Sequence, residues 1–222
     1  MASTPTLTEW ALRRSAELDL RAIKLTWVDE WCPGVVDFIV TVKVRGEVFE
    51  GRGMAPSEDL AFTKAVAEAL ERLIMRHSNL KSSNGVAVHH SIDSAANNAK
   101  QELIERDAFF CHWLTRVPFI SEIDPKTVSQ SIGSRSLLEI NNQITSLGVE
   151  LTVAQMYCVA PYFAFICVGR GGRAARPFGV HLGFGCDLDP NLALEHAIVE
   201  WLRTTVAWCS DCLLYTSDAA DD

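Results

Sequence analysis

The chain has 222 residues, of which 48% are hydrophobic and 22% charged, with a formal net charge of −8. That balance suits a soluble globular domain with a real core, or part of a larger one, and the acidic excess argues against a nucleic-acid partner, which needs clustered Lys and Arg. No apolar run approaches the ~18 residues of a membrane span, and MASTPTLTEWALRRSAELDLR lacks the basic-then-apolar order of a secretory signal.

In chain order, Thr8–Arg21 reads as a first helix, with Trp10, Leu12 and Leu18 toward a core. Val35–Glu50 alternates around Phe38, Val40, Val42 and Val44 and turns at Arg45-Gly46, the period-two signature of a β-hairpin. After a break at Gly51-Arg52-Gly53 and Pro56, Ser57 caps a helix over Leu60–His77. Asn79–Val88 is expected to be a loop around a Ser-Asn-Gly turn, with a short strand. A second long helix begins at Ser91 or Asp93 and reaches Leu114, and Pro118, Asp124 and Pro125 close that unit. Ser134–Ser146 reads as a third helix stopped by Gly148. Val149–Val153, Phe163–Val168 and Phe178–Leu182 read as strands, the last two joined by a turn at Arg170–Arg173, and Asn191–Trp208 as a fourth helix. The order predicts an α+β fold, with mixed or antiparallel sheets packed with long helices. No solenoid period is seen.

Two of these helices carry the pattern Glu-x-x-Glu-Arg, as EALER at Glu68–Arg72 and ELIER at Glu102–Arg106. Residues i, i+3 and i+4 share a helix face, so Lys64, Glu68, Glu71 and Arg72 form one polar stripe and Asn98, Glu102, Glu105 and Arg106 another. Paired carboxylates beside a guanidinium suit Mg²⁺ and phosphate oxygens. The same spacing marks a solvated helix face with weak ion pairs, and spacing alone favours that plainer reading. Ser82-Ser83-Asn84-Gly85 either approaches a phosphate or is merely a turn, and His89-His90 either line a site or sit at the surface. Cys111-His112 has no partner at zinc-like spacing, which leaves a packed thiol, and Gly169–Gly172 lacks the context of a P-loop or dinucleotide fingerprint.

Taken together, GRGMAPSEDLAFTKAVAEALERL (Gly51–Leu73), SSNGVAVHHSIDSAANNAKQELIERDAF (Ser82–Phe109) and, more weakly, DLDPNLALEHAIVEW (Asp187–Trp201) resemble the YcaO family. The segments stand in the family's order, over roughly residues 20–210. The resemblance implies an ATP site without a Walker loop, in which carboxylates from several helices hold Mg²⁺. It also implies a reaction in which a nucleophile attacks a peptide backbone carbonyl, ATP phosphorylates the oxyanion, and phosphate leaves. A Cys, Ser or Thr side chain as nucleophile gives an azoline by cyclodehydration, and a sulfide source gives a thioamide. Carried onto this chain, the resemblance implies Glu68, Glu71, Glu102, Glu105 and Glu200 as Mg²⁺ ligands. It implies Lys64, Arg72, Ser83, His90 and Arg106 as ATP-binding residues, and leaves the catalytic residue unassigned. The implied partners are a precursor peptide or protein substrate and a peptide-presenting or sulfur-transfer protein.

Several positions depart from the family pattern. Lys64 stands where Ser is frequent, His90 where Asn is, Ser94 where many members have a metal-binding Glu, and Arg203 where Gln is common. Losing a carboxylate at Ser94, with Asp93 adjacent, keeps an alternative open: a non-catalytic YcaO-like subunit that binds a peptide or a partner.

The ending CLLYTSDAADD (Cys212–Asp222) resembles the translation of a transposon-end adapter used to prepare sequencing libraries. This divides the chain into an N-terminal portion of a YcaO-like domain, 1–211, and an adapter-derived tail, 212–222. On that reading Cys209-x-x-Cys212 is no redox or zinc pair, and the native chain continues past Asp211. The fragment is then expected to be poorly active and to expose apolar surface where the remainder packs. The seven cysteines are otherwise scattered, most in apolar runs such as FAFICVG, which fits buried thiols and a cytoplasmic protein.

Overall fold

A computed structural model describes residues 6–26, 34–78, 80–124, 131–132, 135–146, 148–171 and 179–218. The chain divides into two units, Met1–Leu103 and Ile104–Asp222.

The first unit comprises α1 (Leu7–Arg13), β1 (Arg21–Leu25), β2 (Val36–Val44), β3 (Glu47–Ala55), α2 (Glu58–His77) and the first half of α3 (Ile92–Thr115). Thr6 starts α1 with a capping box, exchanging bonds with Glu9. The helix stops well short of the expected Arg21. The chain instead turns through Asp19 (φ 37°), the Leu20 N–H bonds to the Ser15 carbonyl, and Arg21–Leu25 becomes an edge strand on β2. Trp10 and Leu18 pack on the core as expected, whereas Leu12 is mostly exposed.

The β2–β3 hairpin forms as read. Arg45 (φ 52°) and Gly46 (φ 86°) both occupy the left-handed region that a tight two-residue turn of this hand requires. Val40, Val42 and Phe49 of the sheet bury against Ala65, Val66, Ala69 and Leu70 of α2 and Leu7 and Ala11 of α1. Asp37 is fully buried and accepts from Arg52 Nε (2.8 Å) and Nη2 (2.5 Å), an ion pair across the hairpin. Ser57 caps α2 by accepting from the Leu60 N–H. No strand occurs among residues 80–88. The segment turns at Gly85 (φ 76°) and, instead of joining a sheet, gives its N–H groups to side chains.

The second unit holds the rest of α3, β4 (Ser121–Ile123), β5 (Ser131–Ile132), β6 (Arg135–Ser136), α4 (Leu137–Ser146), β7 (Val149–Met156), β8 (Phe163–Gly171), β9 (Val180–Asp187) and α5 (Pro190–Asp218). Its main sheet is antiparallel, in the order β4-β7-β8-β9, and β5 pairs with β6. Gly148 (φ 77°) follows α4, as expected of a C-terminal stop. β9 lies further along than Phe178–Leu182, because its ladder with β8 runs from Arg170↔Val180 to Phe163↔Asp187. Arg170 and Gly171 of the expected turn belong to β8, and its other two residues fall in 172–178, which lie outside the described residues.

Alternation along these strands sends neighbouring residues to opposite faces. Ala154, Met156, Ala164, Ile166 and Phe184 pack with Ala108 of α3 on one face. On the other, Gly183 and Gly185 abut α5, whose Ala193, Ala197, Ile198 and Trp201 are buried. Cys167 and Cys186 are buried thiols, and Cys158 is half-buried. Cys111 is exposed, against the packed thiol expected there, because it stands on the solvent side of α3. The α+β class, with antiparallel sheets and long helices, is the one the sequence predicts. No helix among the described residues is long and apolar enough to cross a membrane.

Candidate functional site

The site residues are set by how closely two helices approach their sheets. A Cβ on Gly51 would collide with the carbonyl of Ala65 and the nitrogen of Ala69. One on Gly53 would collide with the Ala61 carbonyl and stand 2.5 Å from the Ala65 nitrogen. With α2 this near to β3, Glu68 Oε2 accepts the N–H of Arg52, the residue between the two glycines, at 2.9 Å.

The second unit repeats the arrangement. A Cβ on Gly183 would strike the Ala197 carbonyl and the Trp201 nitrogen, and one on Gly185 would meet the Ala193 carbonyl and the Ala197 nitrogen. Glu200 Oε2 accepts the N–H of Phe184, between those glycines, at 2.7 Å. Gly51, Gly53, Ala61, Ala65 and Glu68 each recur 132 positions later, as Gly183, Gly185, Ala193, Ala197 and Glu200. The strand–helix module is therefore present twice. A search for solenoid periods passes over it, because the copies are far apart and only two.

Two further carboxylates are held in the same manner. Glu71 Oε1 accepts the Val88 N–H and Glu102 Oε2 the Gly85 N–H, each at 3.0 Å, so the 85–88 segment is tied to both α2 and α3. The Glu71 carboxyl is pushed up to about 7, chiefly by burial and further by the Glu102 and Glu68 carboxylates. The Val88 N–H and the Arg72 guanidinium act in the opposite direction. Arg72 donates to Glu68 Oε1 (2.8 Å) and to the Glu50 carbonyl (2.6 Å), which orients that carboxylate. Lys64 is exposed one turn before Glu68.

In the second unit, Arg106 Nη2 lies 3.8 Å from Glu105 Oε1 and 3.9 Å from Glu200 Oε1, with its guanidinium 5.2 Å over the Phe184 ring. Stacking and two carboxylates fix a cation there.

The structure thus groups Glu68, Glu71, Glu102 and Arg72 in one unit, and Glu105, Arg106 and Glu200 in the other. Ser83 is exposed, and its carbonyl accepts the Val86 N–H of the turn. His90 is exposed beside His89, with ring centroids 4.3 Å apart. Ser94 bonds its hydroxyl to Ser91 (2.8 Å) at the start of α3, so it serves as a capping partner. What sequence reading missed is the donor set: Arg52, Gly85, Val88 and Phe184 contribute main-chain N–H groups, which carry no side-chain signature.

Among the described residues no three His, Cys, Asp or Glu side chains form a metal-holding group of their own. That fits Mg²⁺, which takes one or two carboxylates and completes its shell with water and phosphate oxygens. The gathered like charges at Glu68, Glu71 and Glu102 fit it as well, since a cation relieves their repulsion.

Fold and clamped carboxylates define an α+β protein with acidic helix faces and no phosphate-binding glycine loop in its described part. The family described as YcaO cyclodehydratase, ATP- and Mg²⁺-binding, matches residues 73–211, and the chain belongs to the YcaO family. Glu102, Glu105, Arg106 and Glu200 fall within the match, while Glu68, Glu71 and Arg72 precede it. No curated protein sequence matches significantly. Among solved structures, YcaO from Methanopyrus kandleri bound with AMPPCP and Mg²⁺ is similar, with a TM-score of 0.66 and 14% identity over 90% of this chain and 66% of that one. A heterocyclase in complex with substrate and cofactor gives a TM-score of 0.68 at 12% identity, over 90% of this chain and 40% of that one. The E. coli microcin synthetase McbBCD complex gives 0.60 at 12%, over 78% and 61%. At these identities the likeness is one of fold, and the chain spans only part of each relative's length.

Proposed function

We propose that the whole protein uses ATP and Mg²⁺ to activate backbone amides of a peptide or protein, by azoline-forming cyclodehydration or by thioamidation. The observation that carries this reading is that Glu68, Glu71, Glu102 and Glu200 each give one oxygen to a main-chain N–H. Solvated helix faces have no need of such clamps, whereas ligands that hold a metal are oriented by them. Mg²⁺ would neutralise the phosphate charge that builds during phosphoryl transfer. The chain's own residues bind and orient. Glu68, Glu71 and Glu102 in the first unit and Glu105 and Glu200 in the second supply oxygens to Mg²⁺ ions, one or two carboxylates to an ion, Arg72 fixes Glu68, and Arg106 faces phosphate from its seat on Phe184. Lys64, Ser83 and His90 complete the nucleotide contacts. A cytoplasmic setting follows from the need for ATP. Work with a peptide-presenting or sulfur-transfer partner is in line with the microcin synthetase having been solved as a complex.

The test is Mg²⁺-dependent ATP hydrolysis by the whole protein in the presence of its precursor peptide. Glu68→Gln and Glu105→Gln are each expected to lower it at least ~10-fold. Full activity in both variants refutes the assignment. A second reading has its own observation: Ser94, engaged with Ser91, offers no carboxylate. A non-catalytic, peptide-binding subunit would show no hydrolysis in the wild type while still retaining peptide.

A further inference from the structure

Past its acidic residues, α3 changes character within a turn. Glu105, Arg106 and Asp107 are followed by Ala108–Thr115, which holds no Asp, Glu, Lys or Arg. Arg106, Phe109 and Trp113 are spaced by three and four, so they share one face of the helix, with Phe110 at its side. Ring contacts make that face continuous. The Arg106 guanidinium lies 5.2 Å over Phe184, the Phe184 ring meets Phe109 edge-on at 4.8 Å, and Phe109 stacks on Trp113 at 6.0 Å. One end of this row is the cation assigned above to phosphate. The other end is open, with Trp113 69% and Phe110 47% exposed. The row is also held in place, because Phe109 packs on the core of the second unit and His112, next to Trp113, is bonded at both ring nitrogens.

Size and chemistry select an occupant. The open parts of Trp113 and Phe110 come to roughly 250 Å², since an aromatic side chain presents about 150–250 Å² in full. That is a third of the ~800 Å² each partner brings to a stable protein interface, too little to hold a second copy firmly. It is enough for one bulky side chain. An acidic or basic side chain would be desolvated on the row without a partner. An apolar one would not, and exposed Trp is a favoured anchor for such contacts. The row fixes a distance as well. Arg106 and Trp113 are seven residues apart. That is ~10 Å along a helix, which an extended peptide covers in about three residues.

We propose that this row is a substrate subsite, which takes a bulky apolar side chain of the peptide about three residues from the amide activated beside Arg106. The subsite deepens the peptide-activating reading and rests on it for the identity of the substrate. Its grip on a remote side chain would be spent on positioning the reacting amide.

Dye-labelled peptides of Gly and Ser serve as probes, each with one Cys and with Phe at the third position before or after it. A control peptide has Ser in place of Phe. By fluorescence anisotropy on the full chain, one Phe peptide is expected to bind at least ~10-fold more tightly than the control. Trp113→Ala is expected to erase that preference while leaving the control's affinity alone, and Trp113→Phe to restore most of it. Circular dichroism confirms folding of both variants. In the whole protein, kcat/KM for peptide-stimulated ATP hydrolysis is expected to show the same preference and to lose it when Phe is moved next to Cys. Equal binding of Phe and control peptides by the folded wild type overturns the subsite, as does a preference that survives in Trp113→Ala. Dimerisation that depends on Trp113, without peptide selectivity, overturns it too and assigns the surface to a second copy. Hydrolysis stimulated alike by both peptides and lost in Glu105→Gln refutes the subsite and leaves the catalytic reading standing. Selective binding through Trp113 with no peptide-stimulated hydrolysis does the reverse, leaving the subsite as that of a peptide-binding subunit.

Discussion

Glu71 carries the sharpest consequence at the scale of single residues. Its carboxyl stands at about 7 in the fold against an ordinary 4.5. Between those values the folded state holds a proton that the unfolded chain has released, so this group makes stability fall as pH rises from 4.5 through 7. The full penalty applies above 7 and vanishes below 4.5. At 1.36 kcal/mol per unit it amounts to about 3 kcal/mol at most. Glu71→Gln keeps an oxygen for the Val88 N–H and removes the charge. It is expected to stabilise the metal-free protein at pH 8, to do nothing at pH 4, and to flatten the decline between. Denaturant melts at several pH values check this, and a Gln variant that follows the wild-type slope contradicts it. If the carboxylate binds Mg²⁺, the ion competes with that proton, so added Mg²⁺ and nucleotide are expected to stabilise the wild type more at pH 8 than at pH 6.

The same residue shows what a sequence discloses about a site. That Glu68 and Glu71, or Glu102 and Glu105, share a face follows from helical geometry, and was legible from four positions in the chain. Whether such a face meets water or another segment is not a local property. Gly85 and Val88 reach Glu102 and Glu71 through backbone N–H groups, and nothing in the letters Gly and Val marks a donor.

At the scale of elements, the duplicated strand–helix module explains why Gly51-Arg52-Gly53 is more than a break between hairpin and helix. The glycines permit a contact between helix and sheet that no Cβ would allow, and this contact brings Glu68 to Arg52 and Glu200 to Phe184. Gly53→Ala and Gly185→Ala are thus expected to be costly to similar degrees, about 3 kcal/mol each, because in both the new methyl meets backbone atoms, which cannot rotate away. Gly46→Ala meets open space and pays only for its positive φ, an expected loss of about 1 kcal/mol. Urea midpoints for the three variants decide it, and a Gly53→Ala protein no weaker than Gly46→Ala would refute the close contact. Elements whose signal is local were readable: the Arg45-Gly46 turn, the Ser57 cap and the Gly148 stop. β1 was not. Its residues, Arg21–Leu25, lack alternation with a buried face, and they form a strand because β2 offers an edge.

At the scale of the whole molecule, α3 matters most, since the boundary between the two units falls within it, after Leu103. Past that boundary the helix becomes aromatic and ends in an apolar surface. Trp113 is 69% and Leu114 75% exposed, with Phe110, Val117, Tyr157 and Val159 also open. This surface is not a frayed terminus. His112, buried beneath it, donates from Nδ1 to the Val117 carbonyl (2.8 Å), accepts the Tyr157 N–H at Nε2 (2.9 Å), and stacks on the Tyr157 ring. One imidazole in one tautomer therefore pins the helix end to two loops. A fixed apolar patch of this kind is expected to bind a dye such as ANS in the native state and to drive association as concentration rises. Trp113→Glu with Leu114→Lys is expected to abolish both, while moving the melting temperature by no more than about 2 °C, because neither side chain belongs to the core. His112→Ala should act in reverse, keeping the apolar residues but freeing Val117 and Tyr157, and so lower stability by about 2 kcal/mol through two lost buried hydrogen bonds. Dye fluorescence that persists in the double variant would place the exposed apolar surface elsewhere, and an unaltered melt in His112→Ala would deny the pinning.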